Sequence, residues 1–143
     1  MVDAREAGFD FLGFTIQMSR GAKSGKPYPN VRPSDKAVKK IKAKLTELTQ
    51  RELTCIPLED VVARVNRGLM GWVNYFHYRN SSVAISKVRH HTEERLRTHL
   101  RKRYKIRNRK AGLIKFPRRD LYERYGLYKP PMKSGWNAAH ASA

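Results

Sequence analysis

One cysteine, Cys55, is present in the whole chain, so a single copy can form neither an internal disulfide nor a cysteine-based zinc cluster. That usage suits a reducing compartment. Long apolar runs are missing too: no window approaches the ~20 apolar residues of a membrane span. The opening MVDAREAGFDFLGF carries Asp3 and Glu6 where a secretory signal would be basic and then apolar. These absences argue against secretion and membrane insertion and make the cytoplasm the expected location. Acidic residues are the third scarcity, 12 against 31 Lys and Arg in 143 residues, which leaves a formal net charge of +19.

Groupings that carry chemistry are also lacking. A two-metal polymerase or nuclease centre needs carboxylates gathered around ions about 4 Å apart, whereas Asp3, Asp10, Asp35, Asp60 and Asp120 are scattered. The pairs Glu59-Asp60 and Glu93-Glu94 fit a helix start and salt bridges within a basic helix. His90 and His91 are adjacent, so on a helix they point about 100° apart and cannot hold one metal ion together. His77 and His99 have no Cys or His partner at zinc spacing. No phosphate-binding glycine loop or GxSxG elbow occurs, and Cys55, with no base beside it, reads as a small half-buried apolar residue. No catalytic residue, metal or cofactor is expected of this chain.

What is abundant is positive charge, and it is unevenly placed. Residues 1–60 hold 11 basic and 8 acidic side chains, whereas residues 61–143 hold 20 and 4. Between positions 95 and 119 stand twelve cations and no acid: Arg95, Arg97, Arg101, Lys102, Arg103, Lys105, Arg107, Arg109, Lys110, Lys115, Arg118 and Arg119. Ordinary soluble surfaces intersperse both signs to limit self-repulsion, so this segment calls for a polyanion. Arg predominates there, and its planar fork suits bidentate phosphate contacts and stacking on bases. Nucleic acid is therefore favoured over an acidic membrane or protein partner and over a merely solvated face.

The pattern predicts a mainly α fold, a helical bundle of three main helices with a small N-terminal β-hairpin and a short C-terminal helix. FDFLGFTI (9–16) has no helical stripe and reads as a strand thinned by Gly13; SRGAKSGK follows as a basic loop, and the three prolines of PYPNVRP (27–33) permit only an extended edge. Ser34 is a helix cap ahead of Val38, Ile41, Leu45 and Leu48, which predicts a helix over 34–52. A second helix starts near Pro57 with Leu58, Val61, Val62, Val65 and Leu69 on its apolar side, and should bend or break near Gly68 and Gly71. Asn80, Ser81 and Ser82 offer caps for a third, with Ile85, Val88, Thr92, Leu96, Leu100 and Tyr104 in its apolar row and Arg89, Arg97 and Arg101 on another. After Asn108 the pattern weakens to one short helix over 118–125 and an irregular tail. Trp72, Tyr75 and Phe76 share a helical face, which reads first as core and second as a base-stacking platform; Asn74 falls off that stripe.

Two motifs together resemble a known family. Phe11, Leu12, Gly13 and Phe14, followed by a basic hairpin, and GWVNYF (Gly71, Trp72, Asn74, Tyr75 and Phe76 among its residues) some sixty positions later are similar to the end of the reverse-transcriptase domain and to the maturase-specific domain of group II intron-encoded reverse transcriptases. LYERYGLY (121–128) is similar to the C-terminal segment of bacterial members. The resemblance implies a palm–thumb junction over 1–33, a helical thumb and maturase-specific domain over 34–112, and a C-terminal extension over 113–143. It implies a bacterial cytoplasmic protein that binds group II intron RNA, assists its splicing and grips a primer-template duplex. The fingers, most of the palm and the YxDD metal-binding motif have no counterpart here, so polymerase activity, with its Mg, is not implied for this chain. A piece of a longer enzyme and a naturally truncated reading frame both fit.

The residues expected to meet RNA are Arg89, Arg95, Arg97, Arg101, Lys102, Arg103, Lys105, Arg107, Arg109, Lys110, Arg118 and Arg119, with Arg20, Lys23 and Lys26 in the hairpin as a second site. Exposed Phe9, Phe11 and Phe14 would leave an apolar edge open to self-association. Two rival readings stay open: a polymerase fragment that works only with a separate fingers–palm polypeptide, and a general DNA-binding protein.

Overall fold

The computed structural model describes residues 9–20, 25, 27–78 and 80–131. Three antiparallel strands, β1 (Phe9–Phe11), β2 (Phe14–Arg20) and β3 (Pro27–Pro33), lie in the order β1-β2-β3. Five α-helices follow: α1 (Asp35–Leu48), α2 (Leu58–Phe76), α3 (Ser82–Arg103), α4 (Arg109–Lys115) and α5 (Arg118–Glu123), with a 3-10 turn at Arg51–Cys55. The mainly α architecture with a small N-terminal sheet and a short C-terminal helix agrees with the sequence pattern.

The strand predicted over 9–16 is in fact two. Leu12 and Gly13 both take positive φ, 53° and 87°, the backbone of a two-residue hairpin turn that matches strand twist. Phe11 therefore pairs with Phe14, and β2 runs on to pair with β3 from Phe14 opposite Pro33 to Arg20 opposite Pro27. Glycine is required at position 13 twice over, for its φ and because a Cβ there would sit 3.0 Å from Phe76 Cζ.

Ser34 caps α1 by accepting from the Ala37 N–H at 3.0 Å. The helix stops at Leu48, four residues short of expectation. The Thr49 hydroxyl turns back onto the Leu45 carbonyl at 2.8 Å, and Arg95 and His99 of α3 hold the Thr49 carbonyl. Cys55, in the turn that follows, is exposed rather than half-buried, its thiol donating to the Glu52 carbonyl.

α2 runs unbroken through Gly68 and Gly71. Each glycine costs about 1 kcal/mol relative to alanine, but Val61, Val65, Leu69, Val73 and Phe76 form a continuous buried row that outweighs this. α1 packs against both α2 and α3, and Val38, Ile41 and Leu45 meet Val62, Val65, Leu69, Val88, Leu96 and Leu100 in one core. The expected caps of α3 work otherwise: Ser81 makes no side-chain cap bond, while Asn80 pairs with β3, its N–H on the Val31 carbonyl and its Oδ1 accepting the Val31 N–H. Tyr104 leaves the apolar row at the helix end, half-exposed and stacked on Phe116.

α4 was not foreseen. Its signal is Asn108, whose Oδ1 accepts from the N–H groups of Lys110 and Ala111. Beyond it Phe116, Leu121 and Leu127 enter the core. Asn66 of α2 clamps the C-terminal stretch from outside, donating to the Gly126 carbonyl and accepting from the Tyr128 N–H, each at 2.8 Å.

Candidate nucleic-acid interface

The FLGF turn and the GWVNYF segment, far apart in the chain, meet in space. Phe14 lies 5.1 Å from Phe76 and 5.9 Å from Tyr75, centroid to centroid, and Trp72 lies 4.7 Å from Phe76. The Tyr75 hydroxyl donates to the Leu12 carbonyl at 2.8 Å, and the Ser34 N–H donates to the Gly13 carbonyl. Phe76 is buried, Trp72 half-buried, Tyr75 and Asn74 exposed. The two motifs thus form one latch between sheet and bundle.

The basic segment divides into two classes. Arg97 is only 7% exposed; its Nε donates to the Phe116 carbonyl at 2.8 Å and its guanidinium pairs with Glu94 at 2.7 Å. Arg95 donates to the hydroxyl and carbonyl oxygens of Thr49. Arg103 reaches the Leu53 and Ile56 carbonyls and ties down the 3-10 turn, and Arg101 donates to the Arg107 carbonyl. Arg118 pairs at 3.1 Å with Glu93, which is 2% exposed and also accepts the Tyr122 hydroxyl at 2.6 Å. Burial and the neighbouring carboxylate raise the Tyr122 hydroxyl pKa, so it stays a donor. Arg119 is exposed beside Asp120 and Glu123, and half-buried Arg89 has its Nε shielded without an acceptor.

The second class is free. Lys102, Lys105, Arg107, Arg109 and Lys110 are exposed at the junction of α3 and α4, and among the described residues none of their side chains has a partner. Lys23 and Lys26 lie outside the described residues, as does the side chain of Arg20.

A third feature stands in the first half of the chain, where basic and acidic residues are nearly balanced. Lys36, Lys40 and Lys44 recur at four-residue spacing on α1 and face Arg67 of α2 across a cleft of about 730 Å³. Leu12, Gly13, Ile41, Gly68, Gly71, Trp72 and Phe76 also line it. The i, i+4, i+8 lysine row was the available signal; the larger Arg-rich run masked it.

A model of the group II intron maturase-specific domain matches residues 38–116. The chain belongs to this family. No curated protein matches it. The match begins and ends on buried residues, Val38 of α1 and Phe116 after α4, and so spans most of α1 and all of α2, α3 and α4. It contains the internally bonded Arg95, Arg97, Arg101 and Arg103 and the five free cations. Membership assigns the chain a maturase-related role in group II intron splicing. Among the described residues no three His, Cys, Asp or Glu side chains gather as metal ligands, and no helix is long and apolar enough to cross a membrane.

Proposed function

We propose that this chain binds group II intron RNA through the cations at the α3–α4 junction and thereby assists splicing. The observation that carries the reading is a family match spanning five exposed cations, Lys102, Lys105, Arg107, Arg109 and Lys110, that no acid among the described residues offsets. Phosphate contacts of this kind fix register and supply affinity, while structured loops and bulges supply selectivity. The chain works without its own metal or cofactor in the bacterial cytoplasm, as a thumb and maturase module able to lie along a primer-template duplex. The direct test is the splicing rate of a group II intron RNA with and without protein, beside equilibrium binding to that RNA and to a DNA duplex of equal length. Faster splicing and tighter RNA binding are expected; equal affinities with no change in splicing would favour the general DNA-binding reading.

A second reading, a part of a reverse transcriptase that joins a fingers–palm polypeptide, draws on one feature. Phe11 and Leu12 are 58% and 68% exposed beside Phe14, Ile16, Pro29, Val31 and Tyr78, an apolar surface suited to another polypeptide or to a second copy. Given primer, template, dNTPs and Mg, the chain alone should not extend the primer, because among the described residues no three His, Cys, Asp or Glu side chains gather in a group that could hold a metal ion; extension only after adding the fingers–palm part would establish this role.

A further inference from the structure

The cleft between α1, α2 and the Leu12–Gly13 turn is not absorbed by the junction cations, and its composition is specific. One wall is the lysine row Lys36, Lys40 and Lys44, whose successive members rise about 6 Å along the helix, a step close to that between neighbouring phosphates of one strand. Arg67 stands opposite. None of these four cations has a partner among the described residues. The one acid among the described residues of the lining, Asp10, already accepts the Thr15 hydroxyl at 2.6 Å. The floor is Ile41, Trp72 and Phe76, an aromatic and aliphatic surface. Cations around an aromatic floor are the means by which an unpaired nucleotide is held.

Gly71 supplies an independent indication. It sits inside α2, where glycine costs about 1 kcal/mol relative to alanine, and it does not take positive φ. A Cβ built on it would meet nothing within 4 Å, so no contact with the described residues requires its small size. It opens directly on the cleft. A helix-interior glycine that none of the described residues requires is accounted for by close approach of something else.

We propose that this cleft takes one unpaired nucleotide of an RNA strand, the base against the Trp72 and Phe76 floor and the flanking phosphates on Lys36, Lys40, Lys44 and Arg67. The proposal rests on the RNA-binding reading above and adds a second site to it, one that recognises an extruded base. The cavity volume falls within the range of small-ligand sites, and the rim charge selects an anionic occupant over an apolar peptide.

The test uses the full chain and three synthetic RNA hairpins: fully paired, with a single bulged adenosine, and with an abasic residue at the bulge. Trp136, the chain's other tryptophan, is changed to Phe so that emission reports Trp72. The bulged hairpin should bind about tenfold tighter than the abasic one, within the range for one base stacked on an aromatic, and should alone quench Trp72. Gly71→Leu, which fills the cleft from an open position, should abolish that preference while leaving paired-hairpin affinity intact and without lowering the melting temperature. Lys36→Gln/Lys40→Gln/Lys44→Gln, on an exposed row of good helix formers, should do the same should the leucine disturb folding. Equal affinity for all three hairpins with no quenching would overturn the site and leave the junction reading standing. Failure to bind any RNA would sink both. Unchanged RNA preferences in the filled-cleft variant, with lost association to a fingers–palm polypeptide, would assign the cleft to a protein segment instead.

Discussion

Arginine is the residue at which sequence and structure part most instructively. A run of cations without acids reads as one surface, but a long side chain with a planar fork also bonds backbone carbonyls, and spacing alone does not say which it does. Arg97 is nearly buried because the Phe116 carbonyl needs a donor; Arg95 and Arg103 close the ends of α1 and of the 3-10 turn. Arg97→Gln should therefore lower stability by about 2 to 3 kcal/mol, the cost of losing charged hydrogen bonds at a buried carbonyl, whereas Lys102→Gln should leave it unchanged. Chemical denaturation of the two variants checks this. Histidine sets a second residue-scale expectation. His77, His91 and His99 are all held below the ordinary 6.5, chiefly by burial. His99 accepts from Arg103 at Nε2 and so donates from Nδ1 to the Thr49 carbonyl as a neutral ring. The unfolded chain then binds more protons as the pH falls through 6.5, so folding stability declines below that point and is full above it. The melting temperature should be lower at pH 5.5 than at pH 7.5; a flat profile over that interval would contradict the assignment.

Among elements, α1, α2 and α3 were legible because their apolar positions recur at helical spacing over many turns; most predicted row positions are buried, but Leu48, Leu58 and Tyr104 are not, and α3 also buries Glu93, Arg97 and His99. Their ends were less so, since Thr49 is captured by side chains from α3, a tertiary event that no local pattern records. The turn at Leu12 and Gly13 escaped because the run on both sides is equally apolar, and only positive φ betrays the reversal. α4 is too short for periodicity to register, leaving Asn108 as its one sign. α5 is fixed to α3 by Tyr122 and Arg118 on buried Glu93. Tyr122→Phe should cost about 1 to 3 kcal/mol, since it removes a donor from a buried carboxylate. Thermal unfolding reads the loss, and an unchanged melting temperature would show that Arg118 alone satisfies Glu93.

At the scale of the whole molecule, charge placement gave the partner class but not the contact set. Most of the net +19 lies in residues 61–143, yet part of it is consumed in holding the bundle together, and the lysine row of α1 lies in the half that looked nearly balanced. The family motifs were legible as motifs; that Phe14, Tyr75 and Phe76 form a latch between sheet and bundle required the fold. The measurement that bears most directly on the central claim is the salt dependence of binding to group II intron RNA for the chain and for a variant with Lys102, Lys105, Arg107, Arg109 and Lys110 all changed to Gln. Each phosphate contact adds about 0.7 to 0.9 to the slope of log affinity against log salt. The variant should fold normally and its slope should be shallower by about four. An unchanged slope in a folded variant would contradict the claim that RNA is held at the α3–α4 junction.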